Sequence, residues 1–145
     1  MFDFAGGAPA FLALADALTE RCIEDPVLNH PFSHPMHPQH VERLASYLGE
    51  VFGGPTTYSQ FDGGHSAMLG LHASTGADDD YGARFVACFD RAMDDAQLPV
   101  DPDLRRVLHE YMSWAAGEVI AYSPIGSVVP ADLAFPHWSW DGLQR

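Results

Sequence analysis

Histidine is the residue type whose number and placement in this sequence suggest chemistry most directly. The chain has eight histidines against seven lysines and arginines, and imidazole is a common metal ligand that titrates near neutral pH. His72 ends the stretch 64–72, and the apolar residues Met68, Leu69 and Leu71 come just before it. We expect its imidazole to point into the interior, where it needs a hydrogen-bond partner or a metal ion. The alternative is a core histidine that caps a turn.

A second group of histidines lies near the start of a predicted amphipathic helix. His34, His37 and His40 follow one another at steps of three, a spacing that brings side chains to one face of a helix. A shared zinc ion is therefore one hypothesis, although Pro35 and Pro38 disfavour a regular helix there. The alternative is a polar loop that carries His34 and His37, with His40 facing solvent at the start of the helix.

Helices are predicted to position these histidines, because apolar residues recur at steps of three and four and no segment alternates convincingly as a strand does. The residue before a proline avoids the helical conformation, so the first helix stops at Asp25 before Pro26. Asp101 and Pro102 supply an N-cap and a first-turn proline to the last helix. The main helices are predicted to run from after Gly7 to Glu24, from Pro38 to about Phe52, from Asp78 onwards, and from Asp101 to Pro124.

Length and charge limit the class of protein. The 145 residues form one predicted domain, 1–145, in which the aromatic-rich extension 125–145 docks on the body. The net charge of -13 argues against nucleic acid and anionic membranes as partners. No apolar run approaches the roughly 20 residues of a membrane span, and no signal peptide is visible, so a cytoplasmic location is expected. Cys22 and Cys88 are then interpreted as buried small hydrophobes.

Four motifs stand in order at almost ungapped spacing over residues 6–124. They are Glu24-Asp25-Pro26-x-Leu28 with Phe32, Gly53-Gly54-Pro55-x-x-Tyr58, Gly64-His65-x-x-x-Leu69-x-x-His72, and Arg105-Arg106 through Ala115-Ala116 to Ser123-Pro124. Together they resemble the truncated haemoglobins, and most nearly the group II subfamily. The resemblance implies an all-α, globin-like fold, a truncated two-on-two helical sandwich around a haem pocket. It leaves the tail from residue 125 unexplained.

The resemblance also implies roles for the residues at matching positions. His72 becomes the proximal ligand of the haem iron, and its second ring nitrogen is expected to bond a backbone carbonyl. His40 falls at the distal position, where it donates to a bound gas or binds the iron directly as a sixth ligand. Thr19 falls at the position that usually carries a ligand-bonding tyrosine. The other haem contacts implied by the resemblance are Phe32, Leu44, Leu48, Tyr58, Met68 and Phe85.

The sequence departs from the family pattern at three places. Thr19 lacks the phenol that usually steadies bound oxygen, and Phe85 replaces a tryptophan of the group II subfamily. Leu69 and Leu71 stand where arginines usually pair the haem propionates. The missing arginines before His72 motivate the alternative of a haem-free globin-like binding module. The candidate propionate partners that remain are Tyr58, His65 and Arg84.

The function implied by the resemblance is reversible oxygen binding by haem b, with nitric oxide, carbon monoxide or other diatomic gases as further ligands. Neither cysteine lies in a Cys-x-x-Cys-His motif, so covalent haem attachment is not expected. A haem enzyme with nitric oxide dioxygenase or peroxidase-like activity is a second alternative. An unidentified reductase is an expected partner, and the chain is expected to be a monomer or a homodimer.

Overall fold

The computed structural model describes residues 1–29 and 37–144. Within these residues lie seven helices and two short strands. They are α1 (Phe2–Ala5), α2 (Gly7–Glu24), α3 (His40–Val51), α4 (Thr57–Phe61), α5 (Gly64–His72), α6 (Asp79–Asp95), α7 (Pro102–Ala121), β1 (His137–Ser139) and β2 (Gly142–Gln144).

The four long helices pack as two pairs around one core. Helix α2 packs against both α3 and α6, and α6 packs against α7. Apolar side chains at helical spacing on each of the four helices are buried in the same cluster. The largest fully buried members include Tyr111, Phe52, Phe89, Leu14, Leu18 and Leu48. This arrangement agrees with the predicted two-on-two helical sandwich.

Helix α2 ends where the sequence predicts, and the side chain of Asp25 secures the turn that follows. Its Oδ1 accepts the amide of Val27 at 2.8 Å and that of Leu28 at 3.0 Å. Arg84 of α6 donates to both carboxylate oxygens of Asp25 at 3.2 Å. Although desolvation acts in the other direction, these donors lower the pKa of Asp25 below its ordinary value. Arg84 therefore ties α6 to the end of α2.

Side-chain caps start α6 and α7 as predicted. Oδ1 of Asp78 accepts the amide of Tyr81 at 2.9 Å, and Oδ1 of Asp101 accepts the amide of Leu104 at 3.0 Å. Each cap satisfies one of the amide groups that a helix leaves unpaired at its first turn. Helix α3 begins at His40, two residues later than the predicted start. His40 consequently occupies the first position of that helix.

The tail contains a short hairpin, so the expectation that no strands form is wrong there. Strand β1 pairs with β2 in antiparallel register, with Trp138 opposite Leu143. Each strand has only three residues, too few to show the alternation that identifies a strand in a sequence. The hairpin turn ends at Gly142, whose φ of 95° suits a residue without a Cβ.

The tail also docks on the helices, as predicted from its aromatic residues. Trp138 is buried against Tyr111 and Trp114 of α7. The amide of Leu133 donates to Oγ of Ser66 in α5 at 3.0 Å. The tail is therefore in contact with the helix that carries His72. No helix within the described residues is long and apolar enough to cross a membrane.

Candidate haem site

Helices α3 and α5 carry the two candidate iron-facing histidines, His40 and His72, at the same end of the helix pair. The hydroxyl of Tyr47 lies 2.6 Å from Nδ1 of His65. Tyr47 follows His40 by seven residues and His65 precedes His72 by seven, which is two helical turns and about 10 Å of rise on each helix. At the other end, the charge of His72 acts on His40. The two helices therefore run antiparallel, with His40 near His72 at one end and the Tyr47–His65 bond at the other.

His72 has the hydrogen bond that the sequence analysis expects of a metal-binding imidazole. Its Nδ1 lies 2.8 Å from the backbone carbonyl oxygen of Met68, one turn earlier in α5. A carbonyl only accepts, so Nδ1 carries the ring proton and the lone pair of the neutral imidazole lies on Nε2. This is the tautomer in which Nε2 is available to a metal ion.

The ring of His72 is exposed in the structure, which differs from the expectation that it points into the interior. Helix α5 has only nine residues and His72 is its last, so no further turn shields the ring. Leu71 beside it is 70% exposed. The described residues thus leave the last turn of α5 uncovered on the side where His72 lies.

His40 is half-buried at the first turn of α3. Burial lowers the pKa of His40, and the neighbouring charges of His72, Arg43 and His37 lower it further. Leu44 and Leu48 follow it at steps of four on the same face; Leu44 is half-buried like His40, and Leu48 is buried. The predicted distal face of α3 is therefore one row of His40, Leu44 and Leu48.

Thr19 is buried, but its hydroxyl is used within its own helix. Oγ1 donates to the carbonyl of Ala15 at 2.8 Å, one turn earlier in α2. The hydroxyl proton is thus directed at the backbone of α2. Among the two predicted distal donors, the geometry favours His40 over Thr19.

The other predicted contacts lie in different surroundings. Met68 of α5 and Phe85 of α6 are half-buried and pack against the core. Tyr58 of α4 is buried and meets the ring of Tyr47 edge-on, with 5.1 Å between centroids. Phe32 and His34 lie outside the described residues. Within the described residues no group of three or more potential ligands is placed to hold a metal ion, so the zinc hypothesis gains no support from His37 and His40.

The chain was compared with protein families and with solved structures. The family model described as "Bacterial-like globin" matches residues 1–117. The chain belongs to this family. A thermostable haemoglobin from the actinobacterium Thermobifida fusca is 30% identical, with a TM-score of 0.68 over 82% of this chain and 94% of that one. No curated protein matches the sequence.

Further solved structures confirm the fold of this globin. The group II truncated haemoglobin from Bacillus anthracis superposes with a TM-score of 0.72 at 20% identity, over 88% of this chain and 95% of that one. The haemoglobin of the thermophilic phototroph Chloroflexus aurantiacus gives 0.70 at 27% identity, over 82% and 95%. The predicted all-α, globin-like fold and the resemblance to truncated haemoglobins are thereby confirmed, and the family implies a haem cofactor.

Sequence reasoning missed a basic residue beside the site of this globin. Arg43 lies one turn after His40, and its Nε is 3.3 Å from Oδ1 of Asp62. Burial raises the pKa of Tyr58, while the charge of Arg43 lowers it and that of Asp62 raises it. Arg43 therefore lies close to both His40 and Tyr58. An arginine three residues after a candidate distal histidine was the signal in the sequence.

His65 occupies a different environment from the one that a propionate partner needs. It is buried between α3 and α7, where its ring stacks on Trp114 at 6.1 Å and 17°. Burial lowers the pKa of His65. His65 is therefore enclosed, and Arg84 lies at the end of α2, where it pairs with Asp25. Arg43 is an arginine that the structure brings near His40.

The residues present fit a haem group in this globin. Nε2 of His72 is the kind of donor that haem iron takes as an axial ligand, and His40 lies near it on the facing helix. The backbones of α3 and α5 are not closely packed against each other, and the hydrogen bond between Tyr47 and His65 joins the two helices at one end. Arg43 would supply a positive charge beside His40 for the carboxylates of a haem.

Proposed function

We propose that this globin holds haem b between α3 and α5 and binds oxygen reversibly, with Nε2 of His72 as the iron ligand. The observation that carries the proposal is the 2.8 Å hydrogen bond from His72 Nδ1 to the carbonyl of Met68. It holds the ring at a fixed orientation and leaves the ligating lone pair on Nε2. The haem, when bound, supplies an iron that takes diatomic gases. Nitric oxide and carbon monoxide are ligands by the same chemistry.

His40 is proposed to donate a hydrogen bond to the bound gas. It is half-buried on the face of α3 that continues into Leu44 and Leu48, so its imidazole is screened from solvent on one side. Thr19 donates to Ala15 instead. A close approach of His40 to the iron would produce a six-coordinate resting state, which a gas must displace.

Arg43 is proposed to pair with the carboxylates of the haem. A guanidinium pairs planar carboxylates through two parallel hydrogen bonds. Its present partner, Asp62, holds the side chain at the edge of α3 beside Tyr58. This role compensates for the leucines at positions 69 and 71, of which Leu69 is fully buried in the core.

Peroxidase-like turnover is the second candidate function. It is favoured by a cluster of oxidisable side chains that begins at Tyr47, two turns after His40 on α3. These are Tyr47, Tyr111, Trp114 and Trp138.

Absorption spectra of the purified protein test the proposal. The protein as isolated, or after addition of hemin, is expected to show an intense Soret band that shifts on reduction and again on addition of carbon monoxide. His72→Gly is expected to lose the axial ligand, and added imidazole is expected to restore the spectrum by binding the iron in place of the side chain.

The matched control is His109→Gly on α7. His109 is exposed, and its Nδ1 pairs with Oδ2 of Asp90 at 2.8 Å, away from α3 and α5. Its spectrum is expected to equal that of the unmodified protein. A protein that takes up no hemin would instead support the haem-free binding module. Unchanged haem spectra in His72→Gly would remove His72 as the ligand.

A further inference from the structure

Tyr47 and His65 form a buried hydrogen bond between a phenol and an imidazole. Apolar side chains could fill the same space, so packing alone does not explain the two polar groups. Both side chains are less than 5% exposed, at 3% and 4%. Burial raises the pKa of Tyr47 far above its ordinary value, so its phenol stays protonated. A buried phenol that cannot ionise loses an electron only if its proton has a nearby acceptor, and here the acceptor is 2.6 Å away.

The surroundings of His65 assign its tautomer. On the opposite side of the ring, Nε2 faces Oε2 of Glu118 at 3.9 Å. At 3.9 Å the two atoms are too far apart for a direct hydrogen bond, but the negative charge of the carboxylate favours the tautomer with the ring proton on Nε2 and the lone pair on Nδ1. Tyr47 is then the donor and His65 the acceptor of the 2.6 Å bond. Glu118 is 36% exposed, so it connects the imidazole with solvent.

Oxidisable rings surround the pair and extend towards the tail. The ring of His65 stacks on Trp114, and Trp114 lies 5.9 Å from Trp138 of the hairpin. Tyr111 meets Trp138 edge-on at 5.7 Å. Burial raises the pKa of Tyr111, whose hydroxyl also interacts with that of Tyr47. Electrons therefore have a continuous set of aromatic donors from Tyr47 to the tail.

The position of the pair relates it to the candidate haem site. Tyr47 is two turns from His40 on α3, and His65 is two turns from His72 on α5, so each stands about 10 Å along its helix from the candidate iron-facing histidine. The Tyr47–His65 pair joins α3 and α5 at one end, and His40 and His72 lie near each other at the other end of the same two helices. An electron leaving Tyr47 thus has a short path to a haem held there.

We propose that Tyr47 is a redox-active tyrosine, which gives one electron to the haem while its phenolic proton moves to Nδ1 of His65. The inference rests on the proposed haem binding. The oxidant is a peroxide, which takes two electrons and two protons as its O–O bond breaks and leaves as water and, for an alkyl peroxide, an alcohol. Tyr47 supplies one of those electrons through the haem and becomes a neutral tyrosyl radical, the other electron comes from the haem itself, and both protons come from solvent. His65 becomes an imidazolium beside Glu118. A tryptophan of the aromatic cluster then returns an electron to the tyrosyl radical, and His65 returns the proton.

Electron paramagnetic resonance after freeze-quenching tests this assignment. The ferric haem protein mixed with hydrogen peroxide is expected to give a tyrosyl signal, which Tyr47→Phe abolishes. Tyr81→Phe on α6 is the control, because Tyr81 is a half-buried tyrosine that packs against the core near Cys22 and Asp25; the tyrosyl signal of this variant is expected to remain. Peptide mass spectrometry after reaction with a nitroso spin trap is expected to find the trap attached to Tyr47 or to a tryptophan that gives it an electron.

His65→Gln separates a redox role from simple packing. It keeps a polar side chain near Tyr47 but removes the base, so the radical yield is expected to fall several-fold. The g-values of any remaining radical are expected to shift, because they report the hydrogen bond to the phenoxyl oxygen. Circular dichroism and the Soret band show whether each variant is folded and loaded with haem.

The outcomes distinguish this inference from the proposed function. A tyrosyl signal that persists in Tyr47→Phe, or a haem-loaded protein that consumes peroxide without any tyrosyl signal, overturns the assignment and leaves haem binding intact. An equal yield and equal g-values in His65→Gln overturn the role of His65. A chain that takes up no hemin overturns the proposed function as well, and the missing Soret band identifies that case.

Discussion

The hydroxyl of Tyr47 on α3 and Nδ1 of His65 on α5 are 2.6 Å apart, although 18 residues separate them in the sequence. The bond joins the first turn of α5 to the last half of α3, and His72 ends the same short helix. We therefore expect the position of His72 to depend on whether His65 stays neutral and bonded to Tyr47. Protonation of His65 places a buried charge beside Tyr47. Because Nδ1 then carries a proton, the Tyr47 hydroxyl can no longer donate to it and must rotate.

The first prediction concerns pH. Burial lowers the pKa of His65, so below the ordinary histidine pKa of about 6.5 the unfolded chain binds a proton that the folded chain does not. Stability is thus fully present above about pH 6.5 and is lost as the pH falls towards the lowered pKa. The urea midpoint is expected to be lower at about pH 5.5 than at about pH 7.5, on either side of that value.

His65→Gln checks the assignment of this pH dependence. The variant is expected to be less stable at neutral pH and to have a shallower decrease on acidification. The decrease does not vanish, because the pKa of His40 is also lowered. A decrease as steep as in the unmodified protein would show that other groups cause it.

The second prediction concerns release of the gas. If His40 donates to the bound ligand, His40→Leu removes a hydrogen bond to a partly charged acceptor, worth about 1.5–3 kcal/mol, and accelerates oxygen release about ten- to a hundredfold. Stopped-flow displacement of oxygen by carbon monoxide measures the rate. Rapid autoxidation would be a second sign of the lost donor.

Thr19→Val is the comparison for this prediction. Valine matches the shape of threonine, and the hydroxyl that it removes donates to Ala15 within α2. Oxygen release is therefore expected to change little. If Thr19→Val accelerated release and His40→Leu did not, the distal donor would be Thr19.

The third prediction concerns retention of the haem. Arg43→Gln keeps hydrogen-bonding capacity but removes the charge beside His40 and Asp62, so hemin is expected to transfer faster to an apomyoglobin acceptor. Arg106→Gln is the control, since Arg106 is an exposed residue of α7 that pairs with Glu110. Equal transfer rates for the two variants would show that Arg43 does not hold the haem carboxylates.

The sequence allows prediction of the features that local chemistry determines. The end of α2 depends on Asp25 and Pro26, and the start of α7 depends on Asp101 and Pro102, so neighbouring residues decide both. The carbonyl partner of His72 was also within reach, because Met68 lies one turn before it in the same helix.

Features that join distant segments were not predicted. The Tyr47–His65 hydrogen bond and the contact of His65 with Glu118 depend on how α3, α5 and α7 pack. Helical periodicity does not predict which polar side chains of different helices come into contact. The exposure of His72 depends on what lies beyond the short helix α5. The hairpin around Trp138 is too short for its pattern to be read.

The last prediction concerns the tail, which the family match to residues 1–117 does not include. Trp138 is 9% exposed and contacts both Tyr111 and Trp114, while Leu133 holds Ser66 of α5. Trp138→Ala removes a large buried ring, and changes of this kind cost about 3–5 kcal/mol. Because α5 loses its support from the tail, hemin loss is expected to accelerate together with the fall in stability.

Trp140→Ala is the matched control in the same hairpin. Trp140 is 38% exposed and meets Phe4 of α1 edge-on, with 5.1 Å between the ring centroids. Its replacement is expected to cost less stability and to leave the hemin transfer rate unchanged. Urea unfolding of the apoprotein measures the loss of stability, and transfer of hemin to apomyoglobin measures the rate of hemin loss. Equal effects of the two substitutions on hemin loss would mean that the tail stabilises the fold as a whole without supporting the helix that carries His72.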